Sequence, residues 1–198
     1  ARLALSRASV ITLRDPGSME LVRQIGVTKP QPTLVADPAF ALEPEDADGC
    51  WAPLPPRPRV MFALRPWPGA RDREATYSRV IEGVCARLGA NAILLAFQPD
   101  TDLAVASSIA DLCEADGHTR PQVVACCGLP GQALSIIAQA DLVVGMRLHS
   151  LIFAASAGVP AVAIDYHPKV RAVAGRTGSM HMVSAAASPG EVPRVVLV

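Results

Sequence analysis

The chain alternates between short apolar runs and longer segments in which apolar residues recur every three or four positions. The short runs are typical of strands buried on both faces, and the longer segments are typical of amphipathic helices. After residue 58 the predicted strands cover residues 59–64, 92–97, 122–127, 142–145 and 160–165. The predicted helices cover residues 71–88, 102–115, 131–140 and 149–157, and another opens over 170–175. This order predicts an α/β fold with a Rossmann-like, doubly wound parallel sheet.

The first part of the chain has shorter elements and a different composition. It predicts strands over residues 9–13 and 33–35 with a helix over 17–25 between them, and an acidic stretch and a proline-rich stretch follow. Such stretches are solvated and stiff, as interdomain connections are. The first piece is too short to close its own core, so we expect an appendage or the remnant of a larger domain. We therefore predict the tail of an N-terminal Rossmann-like domain at 1–48, a linker at 49–58 and a C-terminal Rossmann-like domain at 59–198.

Composition and charge narrow the class of protein. The chain has 198 residues and is 51% hydrophobic, which is enough for a substantial core and argues against disorder. Its 18 basic and 18 acidic residues cancel, and aromatic residues are only 4%, so nucleic acid and anionic membrane surfaces are poor partners. Five cysteines without C-x-x-C spacing predict neither a disulfide framework nor a zinc site. The sequence shows no signal peptide and no membrane-spanning run, so we expect a cytoplasmic protein.

Several common catalytic motifs are absent from the sequence. The chain has no G-x-x-x-x-G-K-[ST], no G-x-G-x-x-G, no G-x-S-x-G and no H-E-x-x-H. Its four histidines form no i,i+4 pair and have no acidic partner at ligand spacing, so we expect neither a metal nor a cofactor. The turn at 128–131 is a weak candidate for a phosphate-binding loop, and an ordinary turn is the commoner interpretation.

Basic residues stand instead at the ends of predicted strands. Arg14 ends the first strand of the chain, Arg65 ends the next long one, and Arg147 and Lys169 follow the last two. Open α/β sheets bind ligands at the carboxyl ends of their strands. Arginine suits phosphate and carboxylate oxygens because its planar fork donates two parallel hydrogen bonds. His149 opens a predicted helix at the same place and can act as an acid or a base near neutral pH. This set predicts transfer chemistry on an anionic substrate.

Simpler interpretations remain open for these residues and their neighbours. A single Arg or Lys at a strand end is most often solvated or salt-bridged, and a histidine at a helix start can serve only in packing. Gln98 and Asp102 follow the predicted strand at 92–97, where both can bond sugar hydroxyls or Asp102 can cap a helix. Tyr166 and His167 either line the same pocket as Lys169 or stand on an exposed loop.

A set of short segments occurs between residues 9 and 175 in an order that is known from one family. The segments are Arg14-Asp15 with Ser18, residues 36–40, Arg65-Pro66-Trp67, Gln98 with Asp102, residues 145–149 and residues 166–170. Together they resemble the polysaccharide pyruvyl transferase family, especially its cell-surface-anchoring branch in bacteria. The Arg147-Leu148-His149 segment, with Lys169 twenty positions after His149, is the specific part of the match.

The resemblance implies a fold and a reaction. The family is similar to glycosyltransferases of the two-Rossmann (GT-B) type, so the chain is expected to hold the C-terminal domain and a remnant of the N-terminal one. Members move the enolpyruvyl group of phosphoenolpyruvate onto a sugar as a ketal and release phosphate. Carried over, His149 is the general acid, and Arg65, Arg147, Lys169 and Leu148 bind the donor with Arg14 as a helper. The expected partners are phosphoenolpyruvate, a sugar acceptor that can be lipid-linked at the inner face of the membrane, and a second copy in a homodimer.

The chain departs from the family's pattern in three places. The glycine-rich strand–turn–helix that opens the N-terminal domain is missing, His167 stands where the family often has Asp, and no clear helix closes the chain at 193–198. A fragment that carries the donor half of the cleft is expected to bind phosphoenolpyruvate and to turn over poorly.

Two other functions remain as alternatives. A nucleotide-sugar glycosyltransferase or epimerase of the same architecture would need a carboxylate for the ribose near the last strands, and Asp165 is the obvious candidate. A non-catalytic binding or scaffolding domain is the alternative from another class; the short start favours it, and His149 and Lys169 argue against it.

Overall fold

The computed structural model describes residues 1–66, 73–126, 128–177 and 180–185 together with Val192. They belong to two compact units, Ala1–Ala41 and Leu42–Val198. Trp67, which belongs to the segments that resemble the family, and residue 127, the last of a predicted strand, lie outside the described residues.

The first unit contains a pair of short parallel strands. These are β1 (Thr12–Leu13) and β2 (Thr33–Leu34), and helices α1 (Arg2–Leu5) and α2 (Pro16–Gln24) and a 3₁₀ turn over Pro38–Ala41 accompany them. The start of α2 is fixed by Asp15, whose carboxylate accepts a hydrogen bond of 2.7 Å from the backbone N–H of Ser18. A small core of Ile11, Val22 and Val27 holds this unit together.

A six-stranded parallel sheet forms the centre of the second unit. Its strands are β3 (Arg59–Ala63), β4 (Asn91–Ala96), β5 (Gln122–Ala125), β6 (Leu142–Gly145), β7 (Ala161–Asp165) and β8 (Met180–Ser184). They lie side by side in the order β5-β4-β3-β6-β7-β8. The helices are α3 (Arg73–Leu88), α4 (Pro99–Ala115), α5 (Pro130–Ile137), α6 (Leu148–Ser156) and α7 (Pro168–Thr177). The predicted α/β fold with a parallel, doubly wound sheet is confirmed.

The sheet is covered on both faces, which explains why its strands are apolar runs rather than alternating patterns. The chain moves from β3 to β5 in one direction and from β6 to β8 in the other, so right-handed crossovers place α3 and α4 on one face and α6 and α7 on the opposite face. Along β3, Val60 and Phe62 pack with Val84 of α3 and Ile109 of α4. The alternate residue Met61 is fully buried against the other face.

The sequence pattern did not predict β8, and it placed the starts of two helices late. β8 buries only Val183 deeply and is otherwise half-buried or exposed, because it is an edge strand. The helix predicted from Asp102 begins at Pro99, and the one predicted from Val170 begins at Pro168. Proline fits the first turn of a helix, where its missing N–H would have no partner. Asp102 and Lys169 therefore lie inside first turns.

The segment between Leu42 and the start of β3 packs along the second unit. The hydroxyl of Ser135 on α5 donates a hydrogen bond of 2.6 Å to the carbonyl of Glu45. At the amino ends of the strands, the side chain of Asn91 donates to the carbonyl of Pro56 at 2.9 Å. A Cβ atom added to Gly131 would lie 2.5 Å from Cγ of Glu45. The weak phosphate-loop candidate at 128–131 is therefore in direct contact with this segment, as an ordinary turn at a helix start can be.

Candidate functional site

The predicted site residues of the second unit lie where the strand order reverses. β3 and β6 are neighbours, yet the chain leaves them in opposite directions across the sheet. Doubly wound sheets bind ligands in the crevice at the carboxyl ends of such strands. Arg65 follows β3, and Arg147, Leu148 and His149 follow β6 directly. The fold therefore places these residues at the position where a ligand is expected.

A glycine allows α6 to start close above the end of β6. A Cβ atom on Gly145 would lie 2.5 Å from Oγ of Ser150 and 2.9 Å from Cδ2 of Leu151, so no larger residue fits without movement of the helix. Ser150 is fully buried and donates a hydrogen bond of 2.6 Å to the carbonyl of Arg147. The buried Tyr77 hydroxyl donates to the sulfur of Met146 at 3.2 Å. The turn from strand to helix is thus held by packing on both of its sides.

The amino end of α6 offers backbone N–H groups. Arg147 precedes the helix with an extended backbone, and no side chain caps this end. Its carbonyl accepts the backbone N–H groups of Ser150 and Leu151 at 3.1 and 3.4 Å. The N–H groups of Leu148 and His149 come before the first helical hydrogen bonds and lie at the positive end of the helix dipole. Leu148 can therefore contribute to an anion site through its backbone.

His149 is exposed in the first turn of α6. Its ring centroid lies 6.2 Å from that of Phe153, and the Phe153 centroid lies 6.0 Å from that of Phe97, both pairs tilted. Phe153 therefore packs beside the imidazole, and Phe97 packs against Phe153 in turn.

Arg65 reaches from the end of β3 to the residue after β7. Its Nη1 donates a hydrogen bond of 3.2 Å to the Tyr166 hydroxyl, and its guanidinium carbon lies 5.5 Å from the centre of the Tyr166 ring. No carboxylate lies within 4 Å of Arg65 in the part of the chain that the structure describes. An aromatic ring therefore orients this arginine, and no described carboxylate forms an ion pair with it.

Lys169 is an exposed residue in the first turn of α7. Its backbone N–H donates to Nδ1 of His167 at 3.3 Å, and among the described residues its ammonium group forms no salt bridge. The nearby carboxylate of Asp165 is taken by Arg171, which donates to it at 2.6 and 2.9 Å. Asp165 is the carboxylate that a ribose-binding site would need, and here it accepts from its own chain.

The guanidinium of Arg147 is bound by side chains of its own chain. Its guanidinium forms an ion pair with Asp102 of α4 through two nitrogen atoms, and the side chains of Arg147 and Asp102 are only 16% and 1% exposed. It also donates to Gln98 Oε1 at 3.2 Å and to Thr101 Oγ1 at 3.0 Å. We call these four residues, Gln98, Thr101, Asp102 and Arg147, the clamp. The sequence matches had included Gln98, Asp102 and Arg147, but nothing in their spacing showed that they contact one another.

Arg14 belongs to the first unit. Its Nη1 lies 2.5 Å from Oδ2 of Asp37, whose side chain is only 7% exposed. The other carboxylate oxygen of Asp37 accepts the backbone N–H of Ala39 at 3.0 Å. Within its own unit, Arg14 is thus an ion-pair partner of a buried carboxylate, and the role of donor helper stays a prediction.

A pocket of about 280 Å³ lies at the opposite edge of the sheet, beside the amino ends of β4 and β5. Cys85 and Cys113 line it together with Glu82 and His118, whose Nε2 is 3.3 Å from the Glu82 carboxylate. Burial and the neighbouring Cys113 raise the pKa of the Cys85 thiol to about 12. A thiol of this kind stays neutral and is a poor nucleophile, so this pocket does not compete as a candidate for the catalytic site.

Comparisons with known proteins show a family and a fold for this chain. The sequence model of the family described as polysaccharide pyruvyl transferase matches residues 1–168. No curated protein sequence matches the chain. Among the described residues, no helix is both long and apolar enough to cross a membrane.

Solved structures of low sequence identity share the fold. The UDP-GlcNAc 2-epimerase of Methanocaldococcus jannaschii has a TM-score of 0.64 at 10% identity and matches 99% of this chain and 56% of its own. The accessory secretory protein 1, 2 and 3 structure from Streptococcus pneumoniae has a TM-score of 0.60 at 13% identity, covering 98% and 37%. The Escherichia coli ADP-heptose LPS heptosyltransferase II has a TM-score of 0.52 at 16% identity, covering 71% and 46%. The chain spans about half or less of the length of these proteins.

The fold is that of glycosyltransferases and epimerases of the GT-B type. Within this class, the chain belongs to the polysaccharide pyruvyl transferase family, since the family model covers most of its length.

Proposed function

We propose that the protein is a phosphoenolpyruvate-dependent pyruvyl transferase that forms a ketal on a sugar of a bacterial cell-surface polysaccharide precursor. The proposal includes the cell-surface-anchoring branch of the family. The observation that carries it is the combination of Arg65 and Lys169, two cations without a carboxylate partner among the described residues, with His149 at the open end of α6. Such an arrangement suits a small donor with two anionic groups and a reaction that needs an acid.

The donor carries a phosphate and a carboxylate, and the site offers donors for both. Arg65 and Lys169 supply positive charge, and the backbone N–H groups of Leu148 and His149 lie at a helix start, where anions are favoured. Arg147 can add the one N–H of its guanidinium that the clamp leaves open in the described structure. A cation in the first turn of a helix is unfavourable by itself, so an anion bound beside Lys169 would offset that cost.

The chemical role that we propose for His149 is proton transfer to carbon. The imidazolium donates its proton to the methylene carbon of phosphoenolpyruvate, and the neighbouring carbon becomes an oxocarbenium-like centre. A first sugar hydroxyl adds to this centre and loses its proton. The bond between that carbon and the phosphate oxygen then breaks and phosphate leaves. A second hydroxyl of the same sugar attacks the carbon and loses its proton, which closes the ketal. Of the two hydroxyl protons, one leaves with the phosphate and one restores the imidazolium. The cations stabilise the leaving phosphate, which is where charge develops.

We place the reaction in the cytoplasm, where the acceptor can be lipid-linked at the inner face of the membrane. Among the described residues, Cys50, Cys85 and Cys113 are free thiols, as is usual in a reducing compartment. Association of two copies into a homodimer stays a prediction.

Calorimetric titration of the chain with phosphoenolpyruvate, beside a panel of nucleotide sugars, tests the proposal. We expect saturable binding of phosphoenolpyruvate that weakens about tenfold or more in Arg65→Ala, because a hydrogen bond to a charged group contributes about 1.5–3 kcal/mol. Arg79→Ala, which removes an exposed arginine of α3, is the matched control and should bind normally. Binding of a nucleotide sugar instead would support the glycosyltransferase or epimerase alternative, and binding of neither would support a scaffolding role.

A further inference from the structure

Four of the five N–H groups of Arg147 are occupied by its own chain. Nε donates to Asp102 Oδ2 at 3.0 Å, Nη2 donates to Asp102 Oδ1 and to Thr101 Oγ1, and Nη1 donates to Gln98 Oε1. A guanidinium has five such groups, so Arg147 cannot also grip a phosphate or carboxylate with a fork of two hydrogen bonds unless the clamp opens.

The carboxylate of Asp102 is saturated in the same way. Oδ2 accepts the backbone N–H of Gln98 at 3.0 Å as well as Nε of Arg147, and Oδ1 accepts the Thr101 hydroxyl at 3.0 Å as well as Nη2. A carboxylate offers about four lone pairs, and all of them are used here. Asp102 is also only 1% exposed, so it has no room to bind a sugar hydroxyl.

The backbone of Arg147 is the point from which α6 starts. Its carbonyl accepts three hydrogen bonds, from the backbone N–H groups of Ser150 and Leu151 and from the Ser150 hydroxyl. A side chain fixed to α4 therefore fixes the peptide groups from which Leu148 and His149 project. Since β4 and β6 are separated by β3 in the sheet, the clamp ties together the strand–helix turns of two strands that are not neighbours.

We propose that Asp102 is a positioning residue of the catalytic site: it holds the Arg147-Leu148-His149 turn in place through Arg147, and Arg147 acts chiefly as part of this support. The proposal rests on the proposed function only for its effect on turnover. The geometry predicts that loss of the carboxylate charge misplaces His149 while the main donor cations, Arg65 and Lys169, remain in place.

The test compares Asp102→Asn with Asp100→Asn. Asp100 is in the same first turn of α4, is exposed, and has no side-chain partner among the described residues, so it controls for loss of a charge at this helix end. For Asp102→Asn we expect kcat to fall by about a hundredfold, because a misplaced catalytic group costs this much. KM for phosphoenolpyruvate should rise by a few-fold at most, because Arg65 and Lys169 still bind the donor while the Leu148 and His149 amides are displaced. Asp100→Asn should match the wild type in both values.

A lower KM, or tighter phosphoenolpyruvate binding, in Asp102→Asn would overturn the proposal, because it would show that Asp102 merely neutralises a donor-binding Arg147. An unchanged kcat would overturn it as well. If Asp102→Asn does not fold, Thr101→Val removes one acceptor from an exposed position of the clamp, and a smaller fall of kcat in the same direction is expected.

Nuclear magnetic resonance of the ligand-free chain separates this proposal from the proposed function. We expect resolved Arg147 guanidinium signals in the wild type and in Asp100→Asn. In Asp102→Asn these signals should be lost, and the backbone amides of Leu148 and His149 should shift. Amide signals that do not shift would overturn the positioning role even in a chain that binds no phosphoenolpyruvate. If the amide signals shift in a chain that binds no phosphoenolpyruvate, the positioning role of Asp102 is supported and phosphoenolpyruvate is excluded as the donor.

Discussion

Charged residues are paired differently at the two ends of the strands in the parallel sheet, which we call the amino edge and the carboxyl edge. At the amino edge, the carboxylate of Asp141 accepts hydrogen bonds from Nη1 of Arg57 at 2.6 Å and from the backbone N–H of Arg59 at 2.7 Å, so this ion pair serves the fold. At the carboxyl edge, Arg65 contacts a tyrosine and Lys169 stands exposed in a helix start, and neither has a carboxylate within 4 Å among the described residues.

This difference shows which charges stabilise the fold and which are available to a ligand. The charges of Arg57 and Asp141 are paired with each other at the surface, whereas cations that lack a carboxylate partner in the described structure and lie beside open helix starts favour an anion. Arg147 and Asp102 are the exception at the carboxyl edge, since they are paired there as residues at the amino edge are. The clamp is thus a structural element inside the candidate site.

The largest expected effect concerns the proposed acid. His149→Ala should lower turnover by about a hundredfold to ten-thousandfold, the usual contribution of a general acid, while phosphoenolpyruvate binding stays near that of the wild type. Steady-state rates and calorimetry measure the two quantities. His181→Ala, the same change at an exposed position of β8, is the control. A rate close to that of the wild type in His149→Ala would show that the acid is another group.

The next effect distinguishes a ligand-binding cation from a structural one. Lys169→Ala should raise the Kd for phosphoenolpyruvate by about tenfold to a hundredfold, because it removes a charge-assisted contact of about 1.5–3 kcal/mol. Unfolding stability should not fall, since Lys169 forms no salt bridge in the described structure. Lys169→Arg keeps the charge and should bind more tightly than Lys169→Ala. A loss of stability without a loss of affinity would assign Lys169 to the fold instead.

A third prediction concerns the packing between β6 and α6. Gly145→Ala should destabilise the chain by about 1–3 kcal/mol, because the new methyl group overlaps Ser150 and Leu151. Urea unfolding measures the free energy. Gly175→Ala in α7 is the matched control: nothing lies within 4 Å of its added Cβ, and the change should stabilise the helix by about 0.5–1 kcal/mol. Equal stability of the two variants would contradict the close approach at Gly145.

The smallest effect is expected at the amino edge, from the buried thiol. Burial raises the pKa of Cys85 from 9.0 to about 12, so the neutral thiol contributes its full stability below about pH 9. The contribution falls as the pH rises from 9 toward 12, because the unfolded chain ionises first. Urea unfolding at several pH values measures this fall. It should be smaller in Cys85→Ala and unchanged in Cys50→Ala, where the thiol is exposed. A fall that is independent of Cys85 would place the titration elsewhere.

The apolar periodicity made the class of fold predictable. Five of the six strands of the main sheet and the helices between them follow from short apolar runs and from longer amphipathic segments, because parallel strands must be apolar on both faces. β8 was missed because an edge strand needs few buried residues. The positions of Arg65, Arg147 and Lys169 after strands were also predictable, since chain order alone places them there.

What the sequence by itself determined is the alternation of strands and helices, the carboxyl-end position of the basic residues and the family resemblance. Tertiary structure alone decided which of these residues are paired. Asp102 and Arg147 are 45 positions apart in the sequence. They form an ion pair because β4 and β6, the strands that they follow, lie on either side of β3 in the sheet. The physical reason is that the apolar periodicity of a segment reflects the burial of its own residues, whereas the pairing of charges depends on the order in which the strands are arranged in the sheet.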